Sequence, residues 1–413
     1  MTPFAEASPT ADARSSALRL PAPGRQADHG PPYRTATEVA FGEGSVERLP
    51  QLLSRSGVGR AFVIVSRGTL SRGLPTSFSR LFRGADIRIF SDFEPVPRIE
   101  DLRKSLGEAR SFDAEAFVAI GGGTAMDIAK ATALLASQEE ADPESFLLGQ
   151  RAIANPRRQH LILIPTTSGT GSELTQFAVV YIDKRKFSLD HPYVAADYAL
   201  IDPRLTWSMS PTLAAVTGLD ALSQAMESYW SVKSTEASRA HAAAAIKLVL
   251  VNLPRACLDP TRTARERMSL AAMRAGQAIN ITRTTAAHAV SYPLTALYGI
   301  PHGHACALTL PGFLAYNAQV GPGDVLDPRG EHHVRTSIRE ILALLGVATP
   351  EKGRQKLTDF TTSLGLPSRL SAFGVTEQGI SDIVAASFNP ERVANNPRRV
   401  TKTALQEMLI EIL

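Results

Sequence analysis

Residues 117–130 read FVAIGGGTAMDIAK, and the rest of the chain is best understood outward from them. The first residues form a short apolar run with no polar interruption, the pattern of a strand buried on both faces. Three glycines follow, after which Ala125, Ile128 and Ala129 recur at helical spacing. A strand that turns through Gly121, Gly122 and Gly123 into a helix exposes backbone N–H groups at the helix N-terminus, a good seat for a pyrophosphate. Thr124 can cap that helix or donate its hydroxyl, and Asp127, in the same motif, joins the cofactor-binding candidates.

A second turn of this kind closes LILIPTTSGTGSE, residues 161–173, where Thr166, Thr167, Ser168, Thr170 and Ser172 supply hydroxyls around two glycines. One glycine turn after a strand is often only a tight connection. Two polar glycine turns at strand ends point to one nucleotide site, although neither is the GxGxxG of the common dinucleotide fold. AFVIVS, residues 61–66, reads as a third buried strand. Strand and helix alternate from about residue 34 to 209, which predicts an α/β dinucleotide-binding domain with a parallel sheet. Ser210-Pro211 then matches a helix N-cap followed by proline at the first helical position, and residues 210–413 show helical periodicity. The expected fold is an α/β N-terminal domain followed by an all-α C-terminal domain.

Residues 1–33, rich in Pro, Ala, Arg and small polar residues, read as a disordered extension. Glu6, Asp12 and Asp28 count against a transit peptide there. Lys and Arg total 44 against 40 Asp and Glu, and the charges are interspersed, which argues against nucleic acid and for a small anionic substrate. Only two cysteines occur, Cys257 and Cys306, without CxxC spacing, as expected of a reducing compartment such as the cytoplasm. RAHAAAAIKLVLVNL, residues 239–253, is interrupted by His241 and Lys247 and is expected to be a buried helix rather than a membrane span.

In GLDALSQAMESY, residues 218–229, Asp220 and Gln224 lie four apart and project from one helical face. With His288 and His302 they can complete a four-coordinate divalent site. The competing reading is that Asp220 closes a capping box with Thr217, Gln224 is a surface amide, and the histidines satisfy local hydrogen bonds.

Taken together, GGGTAMDIAK, PTTSGTGSE, GLDALSQAMES and AAHAVSYPLTALYGIPHGHA resemble the iron-containing (group III) alcohol dehydrogenase family, in order and in spacing, over residues 34–413. The resemblance implies NAD(P)-linked aldehyde reduction, a cleft between the two domains, a homodimer or higher homo-oligomer, and Asp220, Gln224, His288 and His302 as ligands of a divalent metal. Gln224 stands where relatives usually carry histidine. A carbonyl oxygen in place of an imidazole nitrogen favours Fe²⁺ or Mn²⁺ over zinc. Tyr292 stands where many relatives place another histidine near the nicotinamide. Arg67, beside Ser66, occupies the position where NAD-preferring relatives often have aspartate, so NADPH is expected ahead of NADH.

Within the family, residues 220–238 and 279–305 look most like enzymes that reduce phosphonoacetaldehyde to 2-hydroxyethylphosphonate in phosphonate biosynthesis. Arg283, Thr284 and Thr285 are the expected anion-binding residues, with Arg185 and Lys186 as further candidates on a mobile loop. The expected mechanism is polarisation of the aldehyde by the metal, hydride delivery from the nicotinamide, and protonation through His304 or Tyr292. Three alternatives stand beside it: reduction of an uncharged aldehyde or diol, a dehydroquinate-synthase-like lyase, and a non-catalytic nucleotide-binding protein whose metal site has decayed at Gln224.

Overall fold

In a computed structural model of the chain, residues 37–413 except 140, 141 and 184 are described, so the extension expected at residues 1–33 lies outside them. Six strands, β1 (Glu38–Phe41), β2 (Arg60–Val65), β3 (Asp86–Phe90), β4 (Ala116–Gly121), β5 (His160–Pro165) and β8 (Tyr198–Ile201), form one parallel sheet in the order β1-β8-β5-β4-β2-β3. The three strands expected from their apolar runs are β2, β4 and β5, side by side at its centre. Their residues alternate between two cores. Ala61, Val63, Val65, Ala116, Val118, Ile120, Ile162 and Ile164 pack on one face. Phe62, Ile64, Phe117, Ala119, Leu161 and Leu163 pack on the other, against Ala125, Met126, Ile128, Ala129 and Ala133 of the helix Gly123–Leu135. Burial on both faces explains why these strands read as continuous apolar runs.

The chain leaves β2 for β3 on one side of the sheet and returns to β4 on the other. The carboxyl ends of β2 and β4 therefore border the crevice where the strand order reverses, the usual ligand site of an open parallel sheet. A separate antiparallel hairpin, β6 (Phe177–Ile182) with β7 (Arg185–Asp190), packs beside the helix Gly123–Leu135. Arg185 and Lys186 are thus strand residues rather than parts of a loop; the alternating apolar positions of FAVVYI and KFSLD pair across the hairpin.

Beyond residue 210 the described chain is helical. Ser210 caps the helix Pro211–Trp230, its hydroxyl accepting from Leu213 N at 3.2 Å. The helix Glu236–Leu258 packs against the helices Pro211–Trp230 and Arg262–Thr282, burying Ala242, Ala245, Ile246, Val249 and Leu253. The buried helix expected here is covered on one face, while Val251 and Leu258 stay exposed.

The two parts of the fold meet where no side chain intervenes. Gly171, at φ +61°, lies so close to the helix Arg262–Thr282 that a Cβ there would stand 2.4 Å from Gly276 Cα. The second glycine turn of the sequence is therefore a docking surface as well as a loop.

Candidate active site

At the ends of β2 and β4 the predicted cofactor residues come together. Ser66 caps the short helix Arg67–Arg72, and its Cβ would lie 3.8 Å from a Cβ on Gly121. Gly122 faces Thr167, and a methyl on Gly123 would meet the Thr170 side chain at 2.9 Å, so the two glycine turns touch. Thr124 does not cap its helix; its hydroxyl donates to Pro95 O at 2.5 Å. Thr166 and Ser168 are buried, the first against Thr69 and the second hydrogen-bonded to Ser269 at 3.0 Å. Asp127 lines the cleft, but both its oxygens are engaged, accepting from Ser172 Oγ at 2.6 Å and from Val179 N at 3.1 Å. Lys130, fully buried one helical turn on, donates to Ser172 Oγ, Thr175 Oγ1 and Phe177 O, and burial pushes its pKa down to about 8. These groups position the loop and the hairpin around the crevice at the ends of β2 and β4. Arg67 pairs with Asp92 at the surface.

The four expected metal ligands line one cleft. Asp220 and Gln224 come from the helix Pro211–Trp230, His288 from the helix Ala286–Tyr298, and His302 from the first position of the helix His302–Ala318. Close approach of the last helix depends on Gly303, where a Cβ would fall 2.1 Å from Val216 O and 2.7 Å from Asp220 Cβ. The capping-box reading of Asp220 fails because the helix begins six residues before Thr217, whose hydroxyl donates to Leu213 O within it. Nor is Gln224 a surface amide, being 4% exposed.

His288 Nε2 lies 3.3 Å from Asp220 Oδ1, while His288 Nδ1 meets Glu227 Oε2. The His302 ring crosses the His288 ring at 5.3 Å between centroids, and its Nδ1 lies 3.2 Å from Ser291 Oγ. Burial and the nearby Lys186 charge push the His302 pKa down to about 3, leaving its ring neutral. Burial opposes ionisation of Asp220, yet the His288 contact outweighs it and lowers the carboxyl pKa. Gln224 Nε2 donates to Thr170 O at 3.3 Å, which turns Oε1 the other way, and that Oε1 is buried without a hydrogen-bond partner. A buried, unpaired acceptor carries a desolvation cost that a cation removes. The donor set therefore fits a divalent ion: one carboxylate, two imidazoles and an oriented amide oxygen.

Several expected residues lie elsewhere. Arg283, at φ +62°, is turned toward β7, where its guanidinium grips Asp190 through Nε at 2.8 Å and Nη2 at 2.7 Å. It does not line the cleft that holds the metal residues. Thr285 is fully buried, donating to Glu227 Oε1 at 2.8 Å and accepting from Trp230 Nε1. Of that trio only Thr284 lines the cleft. His304 is also misplaced as a proton donor: residues two apart on a helix diverge by about 200°. Its Nε2 bonds Pro367 O at 2.7 Å, and its ring packs edge-on to Phe373.

Tyr292 does line the cleft, stacked beside His302 with the Lys186 Nζ 3.9 Å from its ring centroid. Burial would raise its pKa, but the Lys186 and Arg392 charges prevail and lower it. Burial would likewise discharge Lys186, yet Tyr292 and Tyr181 raise its pKa and keep it cationic.

Glu227, Cys306 and Arg392 were missed from the sequence. Glu227 is seven residues after Asp220 and so on the same helical face, a signal available beforehand. Its Oε1 also accepts from the backbone N of Thr285 at 3.0 Å and of His288 at 3.2 Å, which fixes the His288 ring. Arg392 reaches the cleft from the short helix Pro390–Ala394, some ninety residues beyond the last histidine ligand by sequence, and no local pattern announces it.

Against known proteins, residues 36–203 match the family described as iron-containing alcohol dehydrogenase, and residues 214–413 match its C-terminal part. The chain belongs to the iron-containing alcohol dehydrogenase family. Its relatives include the phosphonoacetaldehyde reductase of Streptomyces viridochromogenes, 36% identical over 311 residues, 74% of this chain and 78% of that protein. The sulfoacetaldehyde reductase of Bilophila wadsworthia is 27% identical over 389 residues, 91% of this chain and 97% of that protein. Among solved structures, the sulfoacetaldehyde reductase from Bifidobacterium kashiwanohense in complex with NAD+ is similar with a TM-score of 0.79 at 30% identity, covering 94% of this chain and 99% of that one. As an iron-containing alcohol dehydrogenase the chain is an NAD-linked alcohol dehydrogenase or aldehyde reductase, and the family implies a nicotinamide cofactor with iron or another divalent metal.

Proposed function

We propose that the enzyme reduces a short aldehyde bearing an anionic group, with phosphonoacetaldehyde as the leading substrate. The observation that carries this reading is the presence of Lys186 and Arg392 in the cleft that holds Asp220, Gln224, His288 and His302. Two cations beside a carbonyl-binding site suit a dianion, and guanidinium and phosphonate oxygens match in geometry. Relatives named for phosphonoacetaldehyde and sulfoacetaldehyde support the same class.

When bound, a divalent ion held by Asp220, Gln224, His288 and His302 supplies Lewis-acid polarisation of the aldehyde oxygen, and a nicotinamide supplies hydride. The chain's own residues do the rest. Glu227 holds the His288 ring through Nδ1, leaving Nε2 toward Asp220. Lys186 and Arg392 draw the anionic end of the substrate away from the hydride acceptor carbon and set its orientation. Tyr292, beside His302 and under the Lys186 charge, is the hydroxyl placed to give a proton to the product oxygen.

NADPH is the cofactor this reading favours. Arg67 follows β2 at the crevice, and its present partner Asp92 is an exposed one. An exposed pair is worth only about 0–1 kcal/mol, so exchanging it for a 2′-phosphate costs little. Arg67→Ala is expected to lower kcat/KM for NADPH while leaving NADH nearly unchanged.

The direct test is cofactor oxidation by Fe²⁺-loaded enzyme with phosphonoacetaldehyde and with propanal, before and after chelation. A marked preference for the phosphonate, lost on chelation, is expected. Equal rates with propanal would reduce the reading to a generic aldehyde reductase, and nucleotide binding without turnover would favour a decayed site.

A further inference from the structure

The helix His302–Ala318 brings a second donor beside the metal residues, behind the cleft wall. Cys306 lies one helical turn after His302, so the pair share a face as Asp220 and Gln224 do on the helix opposite. Among the described residues, ligand atoms of Asp220, His288, His302 and Cys306 all lie within 4.8 Å of one another. Cys306 is fully buried and stands against the His288 ring. Around a tetrahedral zinc with bonds of about 2.0–2.3 Å, neighbouring ligand atoms are roughly 3.5 Å apart, so a modest contraction would bring this set onto one ion.

Gln224 and Cys306 are chemically opposite as ligands. An amide oxygen suits hard cations, whereas a thiolate suits soft or borderline ones. We propose that the site has two alternative fourth ligands, with Asp220, His288 and His302 fixed, Gln224 Oε1 completing the shell of a hard ion and Cys306 Sγ that of zinc or cobalt. On coordination the sulfur–metal bond forms, the S–H bond breaks, and the proton leaves to solvent without any change of oxidation state. The inference rests on the cluster being a metal site and is independent of the substrate assignment.

The test uses the full chain loaded with Co²⁺ and read by absorption. A thiolate-to-cobalt charge-transfer band in the near ultraviolet is expected, lost in Cys306→Ser and kept in both Gln224→Ala and Cys257→Ser. As a second readout, Cys306→Ser is expected to weaken Zn²⁺ binding by on the order of tenfold or more while Mn²⁺ affinity changes by less than about threefold. Cobalt bound stoichiometrically without that band, or a band that survives in Cys306→Ser, would overturn the proposal while leaving the metal site intact. Failure to bind cobalt at all would overturn the metal site with it. Where Cys306→Ser does not fold, proton release on metal loading decides the matter: about one more proton is expected to leave with Zn²⁺ than with Mn²⁺, and equal release would overturn the proposal.

Discussion

On the α/β side of the cleft the decisive positions have no side chain, whereas on the helical side, Gly303 apart, they carry charged or polar ones that each need a second partner. Gly121, Gly123 and Gly171 let two turns and a helix approach within distances that a methyl would forbid. Across the cleft, His288 is held by Glu227, Glu227 by Thr285, and Gln224 by Thr170. One side is shaped by what is left out and the other by a chain of hydrogen bonds. The two should therefore fail differently when altered.

The largest effect is expected on the helical side. His302→Ala removes a neutral imidazole from a site with few donors, and the lost Lewis-acid contribution of several kcal/mol corresponds to a fall in kcat of about 10³-fold or more. Metal content after desalting and turnover with the aldehyde check this together, while the melting temperature of the metal-free protein should move little. Retention of full activity would refute the metal assignment.

Next comes Gly171→Ala on the α/β side, which at φ +61° places a methyl 2.4 Å from Gly276 Cα. Overpacking of this kind costs about 1–3 kcal/mol, so Tm should fall by several degrees in a thermal melt, with metal affinity preserved in the folded fraction. Unchanged Tm would show that the seam yields and that the two sides do not differ in this way.

Glu227→Gln is expected to be intermediate. The amide can still accept from His288 Nδ1 but no longer balances its charge, and loss of such a supporting partner typically costs about 10–100-fold in metal affinity. Competition against a chelator measures it.

The contrast also explains what could be read in advance. Strands β2, β4 and β5 are buried on both faces, so their apolar runs were unambiguous, and glycine turns announce themselves by composition. Asp220 and Gln224 were legible because a helix fixes the spacing of a pair. Cations were not. Arg283 sits in sequence beside the His288 helix, but its positive φ sends it to Asp190, and Thr285 beside it is consumed by Glu227. Arg392 enters through tertiary folding alone. Lys186 is visible in the sequence as a charge, but its placement depends on the β6–β7 hairpin bringing it over Tyr292.

The smallest effect, that of Arg283→Ala, set beside Arg392→Ala, tests the cleft itself. A charge-assisted hydrogen bond to an anionic substrate is worth about 1.5–3 kcal/mol, so Arg392→Ala should raise KM for phosphonoacetaldehyde by about 10–100-fold and leave KM for propanal nearly unchanged. Arg283→Ala removes an equal charge whose partner is already Asp190, outside the metal cleft. Its KM for the phosphonate should stay within about twofold, because substrate never replaced that partner. Steady-state kinetics on both variants with both aldehydes would distinguish charge at the site from charge near it. An equal rise in KM from the two arginines would mean that the anion is attracted by the general positive field of this region rather than bound by Arg392.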